Sequence, residues 1–241
     1  MSKVKTAVAG VLVGAGALAS GQAMADVSGS LNITSEYMFR GIDSSGGAAV
    51  QGSLDWAAPS GIYAGVWASN TSPIFDGTEF DVYAGWAGEF GNGVGLDIGL
   101  VYYGFPEQDE VEEVFINGGQ LDTRSANVDI DYVEGYVGLS LGGLSGSIYY
   151  AQDYFGTDEE GIYYTVAYSH GVSETVDLSF QIGFSQGDGV EAFIGDEYTD
   201  WSITLSKDLG EGWGAGFGYV HTDLDDDDAK FVVSASKEFS L

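Results

Sequence analysis

From residue 27 onward, apolar and polar residues alternate with a period of two, in segments of about ten residues. That period belongs to a strand with two unlike faces. In the clearest segment, Val176, Leu178, Phe180, Ile182 and Phe184 share one face, while Asp177, Ser179, Gln181, Gly183 and Ser185 share the other. Trp201, Ile203 and Leu205 alternate in the same way with Asp200, Ser202, Thr204 and Ser206. The alternation predicts twelve strands, at approximately 28–39, 49–57, 62–70, 79–88, 94–104, 128–141, 144–153, 161–169, 175–185, 198–207, 213–222 and 230–241.

The connections sort these strands into an architecture. Those at 58–61, 89–93, 142–143, 170–174 and 208–212 are short. Those at 40–48, 70–78, 105–127, 154–160, 186–197 and 223–229 are mostly longer, and several are acidic. Short and long alternate along the chain. A bacterial outer-membrane barrel has short periplasmic turns, longer outer loops, an even strand count and both ends in the periplasm. A soluble sandwich has no reason to sort its loops by end. The expected fold is therefore all-β, a closed antiparallel transmembrane β-barrel of about 12 strands, with its apolar face toward lipid and its polar face toward a lumen.

Aromatic residues near strand ends fit the girdles that such barrels place at both membrane interfaces: Tyr37, Phe39, Trp56, Trp86, Tyr102, Tyr103, Tyr149, Tyr150, Trp201, Trp213 and Tyr219. In the last strand Phe231, Val233, Ala235, Lys237, Phe239 and Leu241 share a face. An amphipathic final strand ending in an apolar residue resembles the signal read by the barrel-assembly machinery, with Leu241 where Phe is usual.

The start of the chain reads differently. Lys3 and Lys5 precede an apolar stretch from Thr6 to Ala19, and Ala23-Met24-Ala25 carries small residues where a signal peptidase cuts. The apolar stretch is shorter than the roughly 20 residues of a spanning helix. Residues 1–25 are thus expected to be a removed signal peptide and 26–241 the barrel, in the outer membrane of a Gram-negative bacterium.

Composition agrees: glycine is abundant at 38 residues, proline rare at 3, aromatics 14 % and cysteine absent. Beyond the leader only Arg40, Arg124, Lys207, Lys230 and Lys237 are basic, against 37 acidic residues. Such a charge repels phosphates and excludes nucleic acid as a partner. A saline habitat would favour the same charge, so its sign alone does not establish selectivity. Without cysteine, and with only His170 and His221, the usual nucleophile and metal constellations are missing. No enzyme activity, cofactor or catalytic residue is expected. The runs Asp225–Asp228 and Glu107–Glu113 lack EF-hand spacing and read as solvated loops, able at most to bridge divalent cations to lipopolysaccharide.

Candidate pore-lining positions follow from the polar register. Glu36, Asp55, Asp81, Asp97, Glu134, Asp153, Asp177 and Asp200 fall there, with Arg40 at the outer end of strand one. Rings of carboxylates in a narrow pore attract cations.

The segment Ser35-Glu36-Tyr37-Met38-Phe39-Arg40-Gly41-Ile42 resembles the Ser-x-Tyr-x-Phe-Arg-Gly opening of the TorF family, porin-like proteobacterial outer-membrane proteins of largely unknown function. The likeness continues through Gln51 to Asp55 and Ser60 to Ser69, and returns at Ser236 to Phe239. It implies a porin without supplying catalytic residues. The function expected is passive diffusion of small hydrophilic solutes with preference for cations. The partners expected are outer-membrane lipid, lipopolysaccharide and the assembly machinery. The competing expectation is a structural or surface-binding barrel with a plugged lumen and ion-contacting acidic loops.

Overall fold

The computed structural model describes residues 26–241 except 73, 74, 76, 107–111, 118, 119, 126–128, 226 and 227, and only the backbone of 112–117 and 120–125. The expected leader, Asp226, Asp227, the Arg124 side chain and the side chains of the 107–113 acidic run lie outside the described residues.

Twelve strands form one closed antiparallel barrel. In chain order they are β1 Asp26–Thr34, β2 Ala49–Ala57, β3 Ile62–Asn70, β4 Thr78–Glu89, β5 Val94–Gly104 and β6 Tyr132–Leu141. β7 Leu144–Ala151, β8 Gly161–Gly171, β9 Val176–Gln186, β10 Tyr198–Gly210, β11 Trp213–Thr222 and β12 Lys230–Ser240 complete it. Each strand pairs with its sequence neighbours, and β1 pairs with β12 to close the ring, Ser28 standing opposite Ser240. Both chain ends of the barrel therefore lie at the end of the short turns. No helix among the described residues is long and apolar enough to cross a membrane, so the crossing elements are the strands.

The alternation does what a barrel in lipid requires. Leu100, Ile182 and Phe231 are 60 %, 54 % and 63 % exposed on the outer wall, while Val101 and Gly183 beside them are buried inside. Such apolar exposure is unfavourable in water and favourable against acyl chains. Trp56, Trp86, Tyr102, Tyr150 and Trp213 lie outward near strand ends. Tyr37, Tyr103 and Tyr149, expected in the girdle, are instead buried in the interior. In each pair of adjacent tyrosines at 102–103 and 149–150, the pleat sends one ring to lipid and the other inward.

The first and sixth strands are shorter than the alternation predicts. The first stops at Thr34 rather than residue 39, because Met38–Phe39 and Ile42–Asp43 pair with each other as an inward turn. Arg40 and Gly41 at its tip have φ of 48° and 85°, incompatible with a continuing strand. The sixth begins at Tyr132 rather than 128, with Asp131 spent on the backbone N–H of Phe105 at 2.7 Å. At the long-loop end a short helix, α1 (Asp188–Ile194), and a 3-10 turn at Tyr154–Gly156 also fold over the mouth.

Candidate functional site

The interior is asymmetric. From β3 to β8 the inward register carries Tyr63, Tyr83, Tyr103, Tyr136, Tyr149 and Tyr163. From β9 to β12 it carries mostly small residues: Ser179, Gly183, Ser202, Thr204, Gly216, Gly218 and Ser234. Several of these, with Val220 and Val232, remain partly exposed.

Several tyrosines lie over glycine. Tyr63 faces Gly85, Tyr83 faces Gly65 and Tyr136 faces Gly99, each directly across a strand pair. A Cβ at Gly99 would sit 2.7 Å from the Tyr136 ring, so these sites accept no side chain while the rings lie flat. The hydroxyls reach carboxylates. Tyr63 donates to Asp97 Oδ1 at 2.7 Å, Tyr83 donates to Asp55 Oδ1, and Tyr163 donates to Asp200 Oδ1 at 3.3 Å.

At the long-loop end the inward turn of residues 35–48 crosses the lumen from β1 to the opposite wall. Its neck is closed by the Ser44 N–H donating to the Tyr37 carbonyl at 2.7 Å, and the Tyr37 hydroxyl donates to Glu79 at 3.1 Å. Burial foremost, then the charges of Glu79 and Asp81, push the Tyr37 hydroxyl well above its ordinary pKa. At the tip Arg40 reaches β6, where Nη2 lies 2.6 Å from Glu134 Oε2. Its guanidinium carbon stands 4.8 Å from the Phe39 ring centre, 5.4 Å from Tyr149 and 4.4 Å from Tyr163. Burial opposes the charge on Arg40, but the Glu134 carboxylate prevails and raises its pKa above the ordinary value. Gly41 lies against Asp200 and Thr222, where a Cβ would come within 2.7 Å of the Asp200 side chain.

An aromatic lid covers the turn. Phe155 stacks on Phe193 of α1 at 4.2 Å between centres, and lies 4.5 Å from Tyr132 and 6.4 Å from Phe39. The cavity left among Phe39, Phe75, Tyr154, Phe155 and Phe193 is about 10 Å³, barely enough for one water. These rings pack closely over the turn.

The sequence-predicted positions divide accordingly. Asp81, Glu134 and Asp200 are buried inside, Glu134 against Arg40. Asp81 Oδ1 and Glu134 Oε1 have no hydrogen-bond partner among the described residues. Asp55 and Asp97 are half-buried in the tyrosine network, and Asp177 is half-buried on the inward register near the short turns. Glu36 lies beyond the end of β1, 3.4 Å from Lys230. Asp153 falls outside the wall: β7 ends at Ala151, the 3-10 turn draws Tyr154 and Phe155 inward, and Asp153 is left exposed, accepting from the Asp158 N–H at 2.8 Å. Sequence reasoning passed over Glu79, which shares the inward parity of Asp81. It also passed over Lys230, which begins β12 on the inward register and reaches Asp43 at 3.3 Å. Parity alone could have found both. Among the described residues, no group of three or more His, Cys, Asp or Glu is arranged to hold a metal ion.

A family profile described as a bacterial protein of unknown function (Gcw_chp) matches residues 18–239. No curated protein matches the chain. Among solved structures it resembles the KdgM porin in complex with disordered oligogalacturonate (8 % identity, TM-score 0.54, covering 89 % of this chain and 99 % of that one). It also resembles the NanC porin (12 %, 0.54, 90 % and 100 %). A third likeness is an outer membrane channel from Pseudomonas putida F1 (10 %, 0.50, 92 % and 97 %). At these identities the likeness is one of fold, a closed barrel of the outer-membrane porin type.

Proposed function

We propose that this chain, which belongs to the Gcw_chp family of bacterial proteins of unknown function, is a porin-like outer-membrane channel passing small hydrophilic solutes passively and preferring cations. The observation that carries this reading is the row of small, partly exposed residues along the inner faces of β9 to β12. A barrel built only as a scaffold has no need to line one wall of its interior with small residues. The sign of selectivity follows from the carboxylates of Asp55, Asp81, Asp97, Glu134 and Asp200 on the inward register, set against Arg40 and Lys230 among the described residues. An acidic interior disfavours a polyanion such as the oligogalacturonate bound by the KdgM porin, so the solute class is expected to differ. The resemblance of residues 35–42 to the TorF family supports the same outer-membrane reading. Removal of residues 1–25 as a leader, and the absence of catalytic chemistry, belong to it as well.

The inward turn and the rings packed over it favour a second reading, a permanently plugged barrel whose acidic loops meet ions or lipopolysaccharide. Purified protein in planar bilayers separates the two. The channel reading expects discrete conductance steps and a reversal potential displaced toward the cation equilibrium. Folded protein without conductance would establish the plugged barrel instead.

A further inference from the structure

Most of the pocket around Arg40 belongs to the wall. Glu134 comes from β6, Tyr149 from β7 and Tyr163 from β8; only Phe39 comes from the turn itself. Take away the turn, and a carboxylate flanked by two tyrosine faces remains in the lumen. Such a cage is complementary to a planar cation, which stacks on aromatic faces while hydrogen-bonding a carboxylate.

The fit of Arg40 to this cage is incomplete. Only Oε2 of Glu134 takes a hydrogen bond from the guanidinium, while buried Oε1 has no partner among the described residues. A guanidinium free of the turn could engage both oxygens in the bidentate geometry that carboxylates favour. The backbone of Arg40 also sits at φ 48°, a conformation side-chain-bearing residues seldom adopt. The turn thus holds its arginine against a local preference, in a site it only half satisfies, at the end of the barrel where the long loops lie.

We propose that the Glu134–Tyr149–Tyr163 cage is a binding site for guanidinium-bearing solutes, and that Arg40 occupies it as a built-in pseudo-ligand when the turn is folded inward. This rests on the reading of the barrel as a cation-preferring channel and names a solute class for it. Because the occupant is tethered, it competes at high effective concentration, and an external guanidinium binds the wild type only weakly. Displacement of the turn by such a solute would free the part of the lumen it crosses.

The test removes the tethered occupant and supplies a free one. Arg40→Gly suits the positive φ and deletes the side chain; Arg40→Ala is the second variant. The probe is n-propylguanidinium at low millimolar concentration, with urea as a planar uncharged control. The probe is expected to raise the apparent thermal transition of the folded variant, or to restore folding where the variant refolds poorly. Neither the wild type nor the urea samples should respond. In bilayers the probe should block the variant reversibly, and adding Glu134→Gln should weaken that block roughly tenfold. An equal response of wild type and variant, or none from either variant, overturns the site. The outcomes separate the two readings. A cation-preferring conductance with no response to the probe removes the cage and keeps the channel. A probe-dependent transition in a barrel that never conducts keeps the cage and removes the channel.

Discussion

Tyr63 stands directly opposite Gly85 across β3 and β4, and its ring Cζ lies 2.5 Å from where a Cβ of residue 85 would be. The empty position lets the ring cross β4 and reach Asp97 on β5. Gly85→Val should lift the ring from the wall and break that hydrogen bond. Overpacking of this kind costs about 1–3 kcal/mol. Urea titration of the barrel refolded in lipid vesicles would measure it, and unchanged stability would mean the ring has another resting place.

On the opposite face, Phe180 is exposed near the middle of β9. Phe180→Arg should impair insertion, because Arg near mid-bilayer on the lipid face of a barrel costs about 2–4 kcal/mol. The yield of heat-modifiable barrel in vesicles reports it. Equal yields for variant and wild type would put that strand face out of contact with lipid.

The Arg40–Glu134 pair is almost wholly withdrawn from water, with side-chain exposures of 4 % and 0 %. Removing one partner of a buried pair costs about 3–5 kcal/mol, whereas replacing both by apolar residues of similar size costs much less. Glu134→Leu is therefore expected to destabilise the barrel more than Arg40→Met/Glu134→Leu together. The reverse ranking in vesicle unfolding would show that the pair is not shielded from water.

Selectivity should depend differently on inner and outer charges. Asp55→Asn with Asp97→Asn should reduce cation preference even at high salt, since narrow low-dielectric walls weaken screening. Neutralising Asp225 and Asp228 in the last long loop should matter mainly at low salt, because the Debye length is only about 8 Å under physiological conditions. Reversal potentials measured across a salt series would distinguish them, and identical salt dependence would contradict the assignment.

Pairing of β1 with its neighbour begins at Asp26, opposite Ala57, immediately after the Ala-Met-Ala site. Intact mass of protein from outer-membrane fractions should match a chain starting at Asp26. A mass retaining residues 1–25 would contradict processing there.

The wall was legible because a period of two reports burial on one face directly. β2, β3, β5 and β11 occupy the residues expected of them. What alternation cannot report is whether an alternating segment stays in the wall. Tyr37, Phe39 and Arg40 continue the pattern of β1, yet they turn inward, because a buried turn with aromatic sides alternates just as a strand does. The Arg-Gly step at the tip was the available hint. The carboxylates Asp81, Glu134 and Asp200 were legible from parity, but the Arg40 cage was not. It joins residues far apart along the chain, and no local pattern tells which inward tyrosines meet an inward-folded loop.

The pairing of β1 with β12, down to the Leu241 N–H donating to the Val27 carbonyl at 2.8 Å, has a consequence for biogenesis. The first strand synthesised is completed only by the last, so an emerging polypeptide exposes a raw edge until translation has finished. Contacts this remote in sequence form slowly. Premature termination before β12 would leave one open gap between β1 and β11 rather than a slightly smaller barrel, and such a product is expected to go to periplasmic proteases instead of the membrane.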